Sequence, residues 1–236
     1  MLSKKIIMLG ATGAVGNQVA LTLVNMPKVK QLTLLGRSPA KNIVGTSIEQ
    51  HKIDIFSPKS YEQFLDGHDI AICTLGVGQP SKMNKKDFIN IDKNAVLDFA
   101  RACKSAGVTH FQLLSSVGVD SSSSSFYLRT KGELEDELRD LRFNRLSLFH
   151  PSMIITPKNR YGFSQAITLA VMPLLDPLLI GSIKKFRSIP VNVLGAAIAT
   201  NAFLNIDKVG VEVLDWIDFL ELYKNKEMHS KLSKDV

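Results

Sequence analysis

Tyr127-Leu128-Arg129-Thr130-Lys131 sets a phenol and an ammonium four residues apart. On a helix that spacing projects both from one face, where they can address the same small volume. The chemistry of such a pair is acid–base. A phenol with an ordinary pKa near 10 is a poor proton donor or acceptor at neutral pH, and an adjacent ammonium favours the phenolate and lowers that pKa. A second constellation opens the chain: Gly10-Ala11-Thr12-Gly13-Ala14-Val15-Gly16 directly follows the apolar run Ile6–Leu9 and begins a segment with helical spacing. There a backbone free of Cβ atoms can approach a pyrophosphate closely, where helix N–H groups and the helix dipole attract anions. The third glycine lets helix and strand pack tightly.

The side of the site that would choose between dinucleotides lies about twenty residues further on, where an Asp or Glu would bind the ribose 2′-OH of NAD. No carboxylate occurs before Glu49, and the expected position instead reads Gly36-Arg37-Ser38 with Lys41 close behind. Arg37 offers a planar fork suited to a 2′-phosphate, so the cofactor expected is NADP(H) in preference to NAD(H). His51, His68, His110, His150 and His229 show no metal-like spacing, and Cys73 and Cys103 form no CxxC pair. No metal is expected, and His150 reads as a packed or solvent-facing loop histidine.

These groups need a scaffold, and the hydrophobic pattern describes one. Ile6–Leu9, Gln31–Leu35, Asp69–Thr74, Phe111–Leu114 and Arg145–Phe149 are short apolar runs, several ended by glycine or proline, as in buried parallel strands. Glu49–Asp54 leads into a loop holding Pro58 and a short helix through Phe64; Gly76 and Gly78 end the strand before them. Helical spacing covers Gly16–Met26 and Tyr127–Leu141. It is clearest from Asn90 to Ala106, where Ile91, Ala95, Val96, Phe99, Ala100 and Cys103 form one stripe stopped by Gly107. Beyond Pro151 the pattern predicts an apolar helix near 163–171, a helix from Leu194 to Leu204 and a last strand at Val211–Leu214. The strand–helix alternation argues for an α/β fold with a doubly wound parallel sheet, a Rossmann fold. It is read as one domain over residues 1–236, with about 155–236 contributing a substrate lobe.

The glycine spacing, GxxGxxG, resembles the short-chain dehydrogenase/reductase superfamily, particularly its extended and atypical members, and Tyr127–Lys131 matches that superfamily's YxxxK. The resemblance implies that Lys131 also holds the nicotinamide ribose and that Tyr127 passes the carbonyl proton during hydride transfer. It implies a substrate-orienting serine at Leu113-Leu114-Ser115-Ser116, with Ser116 preferred and Ser115 the fallback. The diphosphate would lie on Gly10, Thr12, Gly13, Ala14, Val15 and Gly16. Asp54-Ile55 is similar to the adenine-side pair, and Leu75-Gly76 would line the ribose and diphosphate. His150-Pro151-Ser152 resembles an RPG-type turn with two residues exchanged, leaving Pro151 and Ile154 as nicotinamide contacts. Leu35-Gly36-Arg37, Lys131-Gly132-Glu133 and Ile189-Pro190-Val191 further resemble a small atypical NADPH-binding group, that of the human Tat-interacting oxidoreductase-like protein and a yeast mitochondrial-proteome protein.

Composition bounds the remainder. The chain has 236 residues, 45% of them hydrophobic, and a net charge of +7. Lysines and arginines are scattered without interleaved aromatics, so a basic surface is expected rather than a nucleic-acid partner. The N-terminal apolar run is too short for a signal peptide, and no stretch approaches the ~18 apolar residues of a membrane span. A soluble, cytoplasmic protein with a small-molecule substrate is expected, with an oligomer possible. Lys224–Val236 reads as a solvated terminus, and Ser121–Ser125 as a surface loop or a mobile rim. The apolar residues Ile167–Leu179 suggest a greasy pocket wall. Two functional readings stay open: an NADP(H)-dependent oxidoreductase of a small, apolar carbonyl or alcohol, and a dinucleotide-binding regulator with little turnover. Retention of both Tyr127 and Lys131 favours the first. Sugar-nucleotide epimerase chemistry ranks last, since it normally needs a larger C-terminal part.

Overall fold

Strand β1 (Lys4–Leu9) ends in four fully buried residues, so both of its faces must be covered by other elements. A computed structural model describes residues 3–77, 82–157, 176–205 and 207–232, with side chains to 225. It places β1 centrally in a seven-stranded sheet with β2 (Val29–Gly36), β3 (Ile48–Lys52), β4 (Ile70–Cys73), β5 (His110–Leu114), β6 (Arg145–Phe149) and β9 (Gly210–Leu214). The order is β3-β2-β1-β4-β5-β6-β9, and every pairing is parallel. The chain builds outward from β1 to β3, returns to β4 on the other side of β1, and builds outward again. The direction of winding therefore reverses between β1 and β4, which opens a crevice at their carboxyl ends.

Alternation along the strands sends side chains to two cores. Ile6, Met8, Ile72 and Phe149 face α1 (Ala14–Val24), α5 (Val191–Asn201) and α6 (Trp216–Leu232), meeting Val19, Leu23, Leu194, Ile198 and Phe219. Ile7, Leu9, Cys73, Phe111 and Leu148 face α3 (Ala95–Ser105) and α4 (Phe126–Asp140), meeting Phe99, Ala100, Cys103, Leu134 and Leu138. Each such side chain, fully buried, stabilises by ~1.5–3 kcal/mol, which fixes the register of every strand. The C-terminal residues contribute to the same sheet: α5 lies so close on α1 that a Cβ at Gly195 would sit 2.4 Å from Gln18 Cβ.

Several elements refine the sequence reading or differ from it. Residues 48–52, the third strand that precedes Asp54-Ile55, lie at the sheet edge as β3, on a parallel ladder with Leu32–Gly36 of β2. The short helix through Phe64 is a pair of 3₁₀ turns, Pro58–Ser60 and Glu62–Phe64. The helix expected from Asn90 is already under way in α2 (Lys85–Ile89), capped by Asn84, and passes through a π-helical turn at Asn90–Asn94 into α3. After the last strand the chain is helical, and residues 224–232 continue α6. Ser121–Ser125 is a surface loop, as read from the sequence, with local ties: Asp120 Oδ1 accepts from the Ser122 N–H and hydroxyl, and Arg129 Nη1 donates to Ser123 O at 2.8 Å. Gly78, the helix near 163–171 and most of Ile167–Leu179 lie outside the described residues. No helix among the described residues is long and apolar enough to cross a membrane.

Candidate functional site

The glycine turn bridges β1 and α1 at the crevice. Gly10 has φ +101°, and a Cβ there would lie 2.7 Å from Leu75 N at the end of β4. At Gly16 a Cβ would lie 2.2 Å from Gly10 O, so both glycines are required by the protein's own packing. Gly13 differs. Among the described residues its Cβ would meet only Gly10 O, at 3.3 Å, so most of that space is left open by them above the N-terminus of α1. Gly13 caps that helix without a side-chain hydrogen bond, and no acidic residue stands in the first turn. An uncapped helix start with an open cradle fits an anionic diphosphate. Thr12 is exposed and Ala14 half-buried beside the cradle, whereas Val15 is buried in the core.

At the neighbouring strand ends Arg37 is exposed and makes no ion pair among the described residues. Asp54 is exposed too, but its Oδ1 accepts from Phe56 N at 3.0 Å, so the carboxylate shapes its own turn; Ile55 is buried. Half-buried Leu75 and exposed Gly76 continue from β4. A Cβ on Gly76 would come 3.2 Å from Asp92 Oδ1 and 3.9 Å from Lys131 Nζ, so this backbone passes directly over the lysine.

Helix α4 presents Tyr127, Lys131 and Glu135 at successive turns. Lys131 is only 3% exposed, and its Nζ lies 2.9 Å from Asp92 Oδ1. The other carboxylate oxygen of Asp92 accepts from Val77 N at 2.8 Å, tying lysine, π-helical turn and the β4 loop together. Burial works against the ammonium, but Asp92 and then Tyr127 outweigh it, and its pKa stands above the ordinary lysine range. Tyr127 is half-buried, its ring 5.7 Å from that of Phe88.

The two serines after β5 part company. Ser115 is buried and donates to Glu135 Oε1 at 2.5 Å. Ser116 is half-buried, and among the described residues its hydroxyl makes only a long 3.5 Å contact, to Val117 O. His150 is neither loosely packed nor free: its Nε2 lies 2.7 Å from Glu135 Oε1, while Arg139 reaches Glu135 Oε2 at 3.4 Å. Pro151 is buried and its carbonyl accepts from Val117 N at 2.9 Å, so the β6 end supports the serine segment. Half-buried Ile154 lies in the short strand β7 (Ile154–Ile155), paired with β8 (Ile189–Pro190).

Asp92 and Glu135 escaped the sequence reading. Each had a signal: Asp92 is a carboxylate inside the predicted helix and one residue after its apolar Ile91, and Glu135 extends the Tyr127–Lys131 spacing by one further turn. Gly132 has a reason of its own, because a Cβ there would lie 2.2 Å from Ser121 N, where the serine loop crosses α4. Among the described residues no His, Cys, Asp and Glu cluster could hold a metal ion.

A family model described as NAD(P)H-binding matches residues 10–146. The chain is 33% identical to Protein HTATIP2 of Rattus norvegicus over 157 residues, which covers 66% of this chain and 64% of that protein. It thus spans just under two thirds of the rat protein's length. It is 30% identical to the mitochondrial protein FMP52 of Meyerozyma guilliermondii over 176 residues, covering 72% and 73%. UDP-glucuronic acid 4-epimerase from Bacillus cereus, solved in complex with NAD, shares the fold with a TM-score of 0.66 at 13% identity, covering 89% of this chain and 78% of that one. With the glycine turn at the switch point and the Tyr–Lys helix above it, these similarities converge: the chain belongs to the NAD(P)H-binding family, among the atypical short-chain dehydrogenase/reductase-type Rossmann proteins related to HTATIP2 and FMP52.

Proposed function

We propose that the chain is an NADP(H)-dependent oxidoreductase acting on a small carbonyl or the corresponding alcohol. The observation that carries this reading is the buried Lys131 ammonium, held beneath Gly76 by Asp92 on the same helix face as Tyr127. A lysine takes on the cost of such burial only where its charge has a task or a partner. Gly10, Thr12, Gly13 and Gly16 would hold the diphosphate with Ala14 and Val15, Arg37 the 2′-phosphate, Ile55 and Asp54 the adenine side, and Lys131 the ribose. Bound there, the dinucleotide supplies or accepts a hydride at a carbonyl carbon.

The chain's own residues handle the proton and the geometry. Tyr127 passes a proton to the carbonyl oxygen, or takes it back from the alcohol. Ser116 hydrogen-bonds the same oxygen, its neighbour Ser115 being occupied by Glu135. Pro151 and Ile154 supply an apolar wall. The apolar sequence Ile167–Leu179 favours an apolar substrate.

Tyr127→Phe removes only the hydroxyl, so NADPH affinity persists while carbonyl reduction falls by ~10²–10⁴-fold. The check is turnover of aldehydes, ketones and quinones beside direct titration of NADPH. Activity that survives Tyr127→Phe undiminished overturns the proton-transfer assignment and leaves the cofactor site standing. Absence of NADPH oxidation across the panel by wild type favours the regulatory reading. Cofactor choice has a separate test. NADPH is expected to bind at least ~10-fold more tightly than NADH, and Arg37→Ala to erase the difference, since a charged hydrogen bond contributes ~1.5–3 kcal/mol. Equal affinities in wild type would remove Arg37 from the site.

A further inference from the structure

Between Asp176 and Ser188 the chain leaves the body of the fold and returns to it. Buried Ser188 closes the base: its N–H donates to Asp176 Oδ1 at 2.9 Å and its hydroxyl to Asp176 Oδ2. Arg187 supplies a second tie. Its Nε donates to Leu179 O at 2.9 Å, and its guanidinium lies over Trp216, 4.9 Å from the ring centroid. The Trp216 indole N–H in turn donates to Ser188 O at 3.0 Å. The excursion, with 3₁₀ turns at Asp176–Leu178 and Gly181–Phe186, thus has a defined shape pinned to α6.

What it holds outward is apolar. Leu178 is 71% exposed, Ile180 66%, Ile183 43% and Phe186 39%. Lys184 and Lys185 stand among them, with Lys185 Nζ 5.4 Å from the Phe186 ring. No acidic residue occurs from Pro177 to Arg187. Exposed apolar residues gathered on one pinned segment mark an interaction surface. Apolar tips among lysines, with nothing negative between them, complement a layer with an anionic surface and a hydrocarbon interior, and lysine stems can lie along such a boundary with their ammoniums at the phosphates. The net charge of +7 draws the whole chain toward the same surface.

We propose that the Asp176–Ser188 excursion is a docking surface for an anionic lipid bilayer, with Leu178, Ile180, Ile183 and Phe186 entering at headgroup level and Lys184 and Lys185 contacting lipid phosphates. Attachment is peripheral and reversible.

The experiment is co-sedimentation of the full chain with vesicles of phosphatidylcholine, with and without phosphatidylserine, over a salt series. Binding is expected to the anionic vesicles and to weaken with salt. Ile180→Ser with Ile183→Ser lowers partitioning roughly tenfold or more, given the apolar burial lost. Lys184→Glu with Lys185→Glu lowers it about fivefold or more per residue and flattens the salt dependence. NADPH titration and melting temperature stay at wild-type values in both variants, which separates lost docking from lost fold. The proposal is overturned if wild type ignores anionic vesicles or if both double variants bind as wild type does. It is equally overturned if light scattering shows the segment holding two copies of the chain together, an assembly that Ile180→Ser with Ile183→Ser dissolves.

Discussion

Lys131 and Asp92 are each almost fully withdrawn from water, and each is tolerable only because of the other. Removing one partner of such a pair strands a charge in a low-dielectric environment, at a cost of about 3–5 kcal/mol. Asp92→Ala is therefore expected to lower unfolding free energy by about that amount, read by urea denaturation. Asp92→Asn keeps an acceptor for the Val77 N–H and restores much of the stability, yet removes the negative charge beside Lys131. Under the proposed chemistry, the pH profile of turnover moves in Asp92→Asn while NADPH still binds. A purely structural Asp92 would leave that profile where it is. The sequence made Tyr127 and Lys131 legible because their spacing is local. Their counter-charge stayed hidden because Asp92 reaches Lys131 only after α3 and α4 pack on the same face of the sheet.

At the scale of elements, glycines record where backbones meet. Gly10, Gly13 and Gly16 look equivalent in sequence, but the structure separates them: two are imposed by contacts with the β4 end and the turn itself, and one leaves an open cradle. Gly13→Ala is expected to leave the melting temperature of the free protein near wild type and to weaken dinucleotide binding by ~10-fold or more, about 1.4 kcal/mol. Gly195→Ala is expected to do the reverse. It drives a methyl to within 2.4 Å of Gln18 Cβ and 3.0 Å of the Val19 backbone, an overpacking that costs ~1–3 kcal/mol, seen as a lower melting temperature. Equal effects of the two substitutions on binding would refute the distinction. Nothing local in Leu194-Gly195-Ala196 announces that contact, since its partner lies in the first helix.

The whole molecule divides into two ends. The carboxyl ends of the strands carry the glycine turn, Ser116 and His150. The opposite ends of β5, β6 and β9 carry a buried polar network. In it Arg145 Nη2 lies 2.8 Å from Glu212 Oε1, Ser147 donates to the same oxygen, and His110 Nε2 lies 2.8 Å from Ser147 Oγ. Burial, aided by Arg145, pushes His110 down to about 3. Burial raises Glu212, but Lys208, Ser147 and Arg145 overcome it and bring it to about 2. His110 is thus neutral in the native state while its unfolded counterpart takes up a proton near pH 6.5. Stability is expected to fall as pH drops below about 6.5, by up to about 1.4 kcal/mol per unit toward pH 3. The fall steepens below about 4.5, where the unfolded Glu212 begins to bind protons and the native one does not. His110→Asn is expected to flatten the upper part of the curve and leave the lower part, as measured by thermal melts across that range. A wild-type melting temperature unchanged between pH 7 and 5 would refute the role given to His110.

Read alone, the sequence determined the strand and helix alternation, the glycine turn after β1, the Arg37 position at the end of β2 and the Tyr127–Lys131 face. Each is a local property, written in periodicity, in spacing or in residues that tolerate little else. Tertiary structure decided the rest. It put the third strand, residues 48–52, at the sheet edge beside β2. It turned Ser115 toward Glu135 and left Ser116 at the cleft, and it tied His150 to the same carboxylate. It brought Asp92 to Lys131, and it set α5 against α1. These pairings join residues tens to nearly two hundred positions apart. They are decided by burial, where a charge or hydroxyl taken out of water needs a partner, and that partner need not lie nearby in the sequence.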